Sequence, residues 1–161
     1  PRFVDTLQAT AASFEIPFHL LEVEITETSI MRDFEYALAR LTRLAELGFR
    51  LHMDDFGTGY ASLGYLKQLP IHVLKIDQRF MRSIPGEAKD ERLVRTIIDL
   101  AHNFGLIALA EGVETAEQVE FLRACRCDEA QGYYFARPMP LAEAITFAQT
   151  CSSCLMSTKG A

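Results

Sequence analysis

The sequence predicts an α/β fold in which parallel strands are joined by crossover helices. Five short segments rich in β-branched and aliphatic residues alternate with segments whose apolar residues recur at helical spacing. Two of the helical segments end at a glycine, Gly48 or Gly105, the residue favoured just past a helix C-terminus. The 161 residues, 49% of them hydrophobic, suit one globular domain with its own core.

The first half of the chain is predicted to contain three helices and three strands. Apolar residues at helical spacing predict a helix over 3–14, which Pro17 follows as a stop, and a second helix over 34–47. Aliphatic runs predict strands over 20–26, 49–53 and 73–76, with a Thr/Ser turn after the first. A short helix over 62–68 is closed by Pro70.

The second half repeats the alternation. A polar loop at 84–87 precedes an amphipathic helix over 91–104, and a strand over 106–110 follows. Thr115 caps a helix over 116–124, with Gln118 in an approximate capping box. A short strand over 128–131 and a helix over 141–149 complete the pattern, and residues 151–161 are expected to form a disordered tail.

Charge and hydropathy exclude several classes of function. A net charge of −6, with no Lys/Arg cluster longer than a pair, argues against general nucleic-acid binding. No apolar run approaches the roughly 20 residues that cross a bilayer, and the N-terminus lacks a signal-peptide core. We therefore expect a cytoplasmic segment, whose parent protein could still be anchored to the inner membrane.

Four cysteines occur as two short spacings, Cys125-Arg126-Cys127 and Cys151-Ser152-Ser153-Cys154. Such CxC and CxxC pairs can form a zinc site. The first pair lies at a predicted helix-to-strand junction and the second in the Ser/Thr-rich tail, so reduced thiols without a role in a site are the favoured interpretation.

Charged and amide side chains lie at or near the carboxyl end of each predicted strand. They are Glu24, Asp54, Asp55, Lys75, Asp77, Glu111, Glu114 and Gln131. In a (β/α)8 barrel such residues meet at the face that holds the active site, whereas an open sheet concentrates them at one crevice. Their occurrence after every strand favours a TIM-like barrel. Because a full barrel has eight strands, five βα units make an incomplete one.

Several of these residues indicate a metal site. Asp54 and Asp55 precede a Gly-rich turn and offer the oxygen ligands that Mg²⁺ or Mn²⁺ requires, with a helix N-cap as the alternative. Glu24 is expected on an interior strand face, where a buried carboxylate implies a metal or another cation. Lys75 interrupts an apolar strand and needs carboxylates or an anion beside it. Two cations bridged by an aspartate suit attack of water on phosphorus, which predicts phosphodiester hydrolysis.

Five sequence blocks carry a specific resemblance. They are EVEITET (22–28), DDFGTGYASL (54–63), LKID (74–77), AEGVET (110–115) and QGYYFARPMP (131–140). In order and spacing they resemble the EAL family of cyclic di-GMP phosphodiesterases, which act in bacterial second-messenger signalling. The resemblance implies a modified (β/α)8 barrel, of which strands four to eight are present. It also implies hydrolysis of cyclic di-GMP to linear 5′-pGpG with two Mg²⁺ or Mn²⁺ ions.

The resemblance further implies roles for individual residues. Glu24, Asp54 and Asp55 would bind the metals, with Asp54 bridging them and Asp55 serving the second ion. Lys75 would hold the attacking water or a phosphate oxygen. Glu111 would help to position or deprotonate that water.

A second set of residues is implied to support the site. From the residues alone, Glu27 suits a loop-stabilising cap as well as a ligand, and it resembles the family's glutamate that anchors the loop 56–63. Glu114 and Gln131 resemble supporting and substrate-side residues. The family tends to dimerise through the segment 56–66, which implies a homodimer, and a longer parent chain could carry a sensor or cyclase domain.

The resemblance departs from the family pattern at the N-terminus. The family's Glu-Ala-Leu segment and its metal-binding asparagine belong to strands before Pro1. Residues 1–150 are therefore expected to be the C-terminal part of an EAL domain. A fragment of a full domain is the leading interpretation, and a natural remnant or a barrel completed by another chain are the alternatives. A catalytically inactive cyclic di-GMP-binding or protein-interaction module is the alternative to hydrolysis.

Overall fold

A computed structural model describes residues 2–57 and 63–150. The first half contains α1 (Arg2–Ser13), a 3-10 turn (Phe18–Leu20), β1 (Glu22–Thr26), α2 (Glu27–Met31), α3 (Phe34–Glu46), β2 (Arg50–Phe56), α4 (Leu63–Leu66) and β3 (Val73–Ile76). The second half contains α5 (Gln78–Met81), α6 (Ala88–Asn103), β4 (Ile107–Ala110), α7 (Ala116–Ala124), β5 (Glu129–Ala130) and α8 (Leu141–Thr150). Within these ranges no helix is both long and apolar enough to cross a membrane.

The strands form a five-stranded sheet in chain order, β1-β2-β3-β4-β5. β1 pairs in parallel with β2, and β4 pairs in parallel with β5. Parallel neighbours require crossover connections, which the intervening helices provide. The predicted α/β class is therefore confirmed.

Each predicted helix and strand is present, but two short helices were not predicted. α2 replaces the expected Thr/Ser turn, and α5 begins directly after Asp77, whose side chain caps it by accepting a hydrogen bond from Arg79 N at 2.7 Å. Helices of four or five residues are too short to show a helical period in the sequence. The strand prediction is wrong at Leu20, which belongs to the 3-10 turn, and at Leu21, which precedes β1. β2 continues through Asp55 to Phe56.

The described residues form two compact units, and the division falls inside β3. The first unit runs to Lys75 and includes Asn103–Leu106. In it α3 packs against α1 and β2, and Leu44 is 1% exposed. Phe18 stacks on Phe49 with ring centroids 4.8 Å apart. Apolar packing of α3 on the sheet therefore holds β2 in place.

The second unit comprises Ile76–His102 and the chain from Ile107 onward. The apolar face of α6 is buried, as its predicted amphipathic pattern requires. Thr115 Oγ1 accepts a hydrogen bond from Gln118 N at 3.3 Å, and the Gln118 side chain caps the Thr115 N–H in return. The predicted capping box of α7 is therefore confirmed, and such a cap contributes about 1 kcal/mol to stability.

Candidate active site

The register between β1 and β2 aligns charged side chains of the two strands. Glu24 lies beside His52, and Thr26 lies beside Asp54. Because side chains alternate between the two faces of a strand, His52 and Asp54 share one face of β2. Glu24 and Thr26 of β1 therefore lie on the same face of the sheet as His52 and Asp54 of β2.

Lys75 joins two of the predicted metal ligands. Its Nζ lies 2.5 Å from Glu24 Oε1 and 3.1 Å from Asp54 Oδ1. The lysine side chain is only 4% exposed, so the prediction that carboxylates balance it is confirmed. The Glu24 side chain is 53% exposed in the described structure, and its place on the interior face of a barrel stays a prediction.

The donor atoms around Lys75 suit a hard divalent cation. Asp54 Oδ1 is buried, and the Lys75 ammonium 3.1 Å away supplies the cation that a buried carboxylate oxygen needs. No group of three or more His, Cys, Asp and Glu side chains among residues 2–57 and 63–150 is arranged to hold a metal. Mg²⁺ nevertheless binds through one or two carboxylates with waters and substrate phosphates. Glu24 and Asp54 therefore fit Mg²⁺ or Mn²⁺.

Two further predicted site residues flank this group. Asp55 has a φ of 56°, a left-handed conformation that Asp tolerates better than most residues. Glu27 is 3% exposed and begins α2, where a carboxylate interacts favourably with the helix dipole. Residues 58–62 lie outside the described structure, so the predicted anchoring of the loop 56–63 and the dimer segment 56–66 stay predictions. The metal-binding role of Asp55 is also still a prediction.

His52 is a neighbour of the site that the sequence analysis did not single out. It is 2% exposed, and its Nε2 lies 3.6 Å from Glu22 Oε1 without a hydrogen bond to any described residue. Burial lowers the pKa of His52, and the Glu22 carboxylate raises it only in part. The imidazole is therefore neutral at neutral pH and adds no charge beside Lys75. The sequence could have indicated His52, because it lies two residues before Asp54 and therefore on the same face of the strand.

A second group of predicted residues lies at the ends of β4 and β5. Gln131 Nε2 donates a hydrogen bond to Glu111 Oε1 at 2.8 Å. Glu111 N donates to Ile76 O at 3.1 Å, and Gln131 N donates to Ala110 O at 2.8 Å. The backbone of both residues is thus held by the strands, and the amide orients the carboxylate.

Glu111, Glu114 and Gln131 line a cavity of about 640 Å³. Its other lining residues are Gln78, Gly112, Gly132, Tyr133, Ala136, Arg137, Pro138, Met139, Ala144 and Phe147. The volume is typical of small-molecule sites, and the mixture of apolar and polar groups suits an organic ligand. The Arg137 guanidinium lies 4.6 Å from the centroid of the Tyr133 ring, which suits an aromatic or anionic group of a ligand.

Two glycines allow the walls of this cavity to approach each other. A Cβ on Gly112 would lie 2.5 Å from Gln78 Cβ, and a Cβ on Gly132 would lie 2.1 Å from Val113 O. Any larger residue would push these segments apart. The predicted close backbone approach at Gly112 is therefore confirmed.

Three residues of the cavity were missed as candidates. Gln78 directly follows the strand-end residue Asp77, and Tyr133 and Arg137 lie within the block 131–140 that carries the resemblance. The rule that polar residues cluster after strands could have found Gln78. The structure brings the predicted site residues together in two groups, one in each compact unit, and their meeting at one face of a barrel stays a prediction.

Cys125 and Cys127, in the second unit, do not line this cavity. Cys125 is half-buried, and Cys127 is buried with its thiol donating to Ala108 O and Glu129 O at 3.4 and 3.3 Å. Burial raises the pKa of Cys127 to about 12. A protonated thiol is a poor zinc ligand, and Cys151 and Cys154 lie outside the described residues.

Comparison with known proteins places these features in a family. The EAL domain model matches residues 1–138. The chain is 47% identical over 122 residues to the cyclic di-GMP phosphodiesterase NbdA of Pseudomonas aeruginosa, covering 76% of this chain and 16% of NbdA. The c-di-GMP complex of the PaMucR phosphodiesterase has a TM-score of 0.85 at 38% identity, covering 88% of this chain and 57% of that chain.

A third similar protein was solved with a metal. The manganese/cy-diGMP complex of Klebsiella pneumoniae BlrP1 has a TM-score of 0.79 at 28% identity, covering 86% of this chain and 35% of that chain. The chain thus spans less than two-thirds of each of these three proteins. Its sheet and helices correspond to part of the TIM-like barrel of EAL domains, as the sequence blocks predict. The chain belongs to the EAL domain family.

Proposed function

We propose that this chain carries part of the active site of a phosphodiesterase that hydrolyses cyclic di-GMP to linear 5′-pGpG with two Mg²⁺ or Mn²⁺ ions. The observation that carries the proposal is the convergence of Glu24 and Asp54 on Lys75 Nζ, at 2.5 and 3.1 Å. The similarity to NbdA, a cyclic di-GMP phosphodiesterase, supports the choice of substrate.

The carboxylates of the first unit would hold the ions. Glu24 and Asp54 both contact the buried Lys75 ammonium, and Asp55 follows directly in the chain. When bound, the ions would lower the pKa of a water and neutralise charge on the phosphate. Lys75, with three donors on its ammonium, would hold the attacking water or a phosphate oxygen.

Glu111 would act on the water proton. Its carboxylate is oriented by Gln131, and an oriented carboxylate can position a water and accept its proton. Hydrolysis forms one bond from the water oxygen to phosphorus and breaks the P–O3′ bond, and a proton ends on the 3′-oxygen. Such general base catalysis typically contributes 10²- to 10⁴-fold to the rate, on the order of a few kcal/mol.

The cavity of the second unit would take part of the nucleotide. The Tyr133 ring offers a stacking surface for a guanine, and the amides of Gln78 and Gln131 offer donors and acceptors for its polar edge. Glu114 would be a supporting residue of this cavity. Homodimerisation, a cytoplasmic location and sensor or cyclase domains in a longer parent chain are further predictions of the same proposal.

The test uses the complete natural polypeptide that contains these residues. Incubation with cyclic di-GMP and Mg²⁺ or Mn²⁺ is expected to yield pGpG, measured by chromatography, and chelation or Lys75→Met is expected to abolish it. Calorimetry in Ca²⁺ measures binding separately from turnover. Binding without turnover would favour the catalytically inactive binding module, and the absence of both would refute the proposal.

A further inference from the structure

We infer that Gln118, in the first turn of α7, is a positioning residue of the cavity, because its side-chain amide forms hydrogen bonds to two segments that line the cavity. These segments are α5 and the loop 111–115. The inference rests on the proposed function, since the cavity is taken to hold part of the nucleotide.

Both ends of the Gln118 amide are engaged. The residue is 5% exposed. Its Oε1 accepts hydrogen bonds from Glu114 N at 2.6 Å and Thr115 N at 3.1 Å, and its Nε2 donates to Met81 O at 2.7 Å. A buried amide with hydrogen bonds at both ends holds its two partners in one geometry.

The bond to Met81 goes beyond helix capping. A capping box needs only a side-chain acceptor at this position, and glutamate serves as well as glutamine. Only an amide can also donate to Met81 O, a carbonyl at the C-terminal end of α5 that accepts a second, longer hydrogen bond from Ile84 N at 3.2 Å. α5 has four residues and is too short to be stable alone. The amide therefore fixes α5 against the loop.

The hydrogen bonds of Gln118 affect the cavity because both of the segments that they join supply lining residues. Gln78 begins α5, and Glu114 lies in the loop. The two segments already touch where Gly112 packs on Gln78, so closely that a Cβ would overlap. Gln118 thus sets the separation between the Gln78 and Glu114 side chains. A displacement of about 1 Å in a site can reduce activity by 10²-fold.

Gln118→Glu removes the hydrogen bond to Met81 O and keeps the cap of α7. At pH 8 the introduced carboxylate still accepts from Glu114 N and Thr115 N, but it cannot donate to Met81 O. In the complete polypeptide we expect the KM for cyclic di-GMP to rise about tenfold, with a smaller change in kcat. Thr115→Ala is the matched control, because it weakens the cap of α7 and leaves the amide in place. Its unfolding midpoint should fall while its KM stays within about twofold of the wild type.

The outcomes separate the inference from the proposed function. If the wild type neither binds nor hydrolyses cyclic di-GMP, both the proposed function and the inference are refuted. An active wild type with an unchanged KM in Gln118→Glu, or an equal rise in Thr115→Ala, would overturn the inference alone. If Gln118→Glu does not fold, hydrogen exchange on the wild type decides. Cyclic di-GMP in Ca²⁺ should slow exchange of the Glu114 and Thr115 amides, and unchanged exchange on binding would overturn the inference.

Discussion

Lys75 Nζ on β3 lies 2.5 Å from Glu24 Oε1 on β1, although β2 lies between these strands in the sheet. Alternate strands of a sheet are about 10 Å apart, so a long side chain is needed to span the gap. The lysine also contacts Asp54 on the intervening strand, at 3.1 Å. One buried ammonium therefore sets the positions of two carboxylates from different strands.

Replacing this ammonium should reduce the rate of hydrolysis more than the affinity for cyclic di-GMP. In Lys75→Met we expect kcat to fall by about 10²-fold or more, because a preorganised charge at the reacting phosphate is lost. Binding of cyclic di-GMP in Ca²⁺, measured by calorimetry, should change much less. Lys75→Arg should not restore activity, because a planar guanidinium cannot take the compact position of the ammonium. A kcat within a few-fold of the wild type in Lys75→Met would contradict this role.

Glu24→Gln and Glu22→Gln form a matched pair on β1. Their side chains are 53% and 52% exposed, but only Glu24 contacts Lys75 in the described structure. Glu24→Gln should raise the Mg²⁺ concentration for half-maximal activity by about tenfold or more, because a charged ligand is lost. Glu22 lies 3.9 Å from Arg50 and 3.6 Å from His52, and Glu22→Gln should leave the Mg²⁺ dependence unchanged. Equal effects of the two variants would show that Glu24 has no special role.

Gly112→Ala and Gly48→Ala separate packing from backbone strain. Both glycines have left-handed φ angles, 67° and 96°. An added Cβ meets Gln78 at 2.5 Å in the first case and nothing within 4 Å in the second. Gly48→Ala should cost about 1–2 kcal/mol of unfolding free energy through strain. Gly112→Ala should cost about 1–3 kcal/mol more through overpacking. Urea denaturation measures both, and equal losses would refute the close contact at Gly112.

Cys127 should make stability depend on alkaline pH. Burial raises its pKa from 9.0 to about 12 in the folded chain, so above pH 9 the unfolded chain loses this proton while the folded chain keeps it. The unfolding free energy should therefore be unaffected by this thiol below pH 9. Between pH 9 and 12 it should fall by about 1.4 kcal/mol per pH unit. Denaturation of the wild type and of Cys127→Val across this range isolates the effect, and parallel pH profiles would argue against a buried, protonated thiol.

Local patterns in the sequence determined the α/β class, the main helices and strands and the residues at the strand ends. Helical and strand periodicities depend on neighbouring residues, so α3, α6 and α7 were predictable. The need of Lys75 for a carboxylate partner was also predictable, because burial of a charge follows from its apolar neighbours. α2 and α5 were not predictable, since one turn of helix leaves no period.

Only the tertiary structure decided which residues meet. The parallel register of β1 and β2 and the reach of Lys75 select Glu24 and Asp54 as its partners and leave Glu22 with Arg50 and His52. The cavity joins Gln78, Glu111 and residues from the segment 131–147, and Gln118 reaches a carbonyl 37 residues away. Contacts between distant parts of a chain depend on strand order and packing, which local periodicity does not contain.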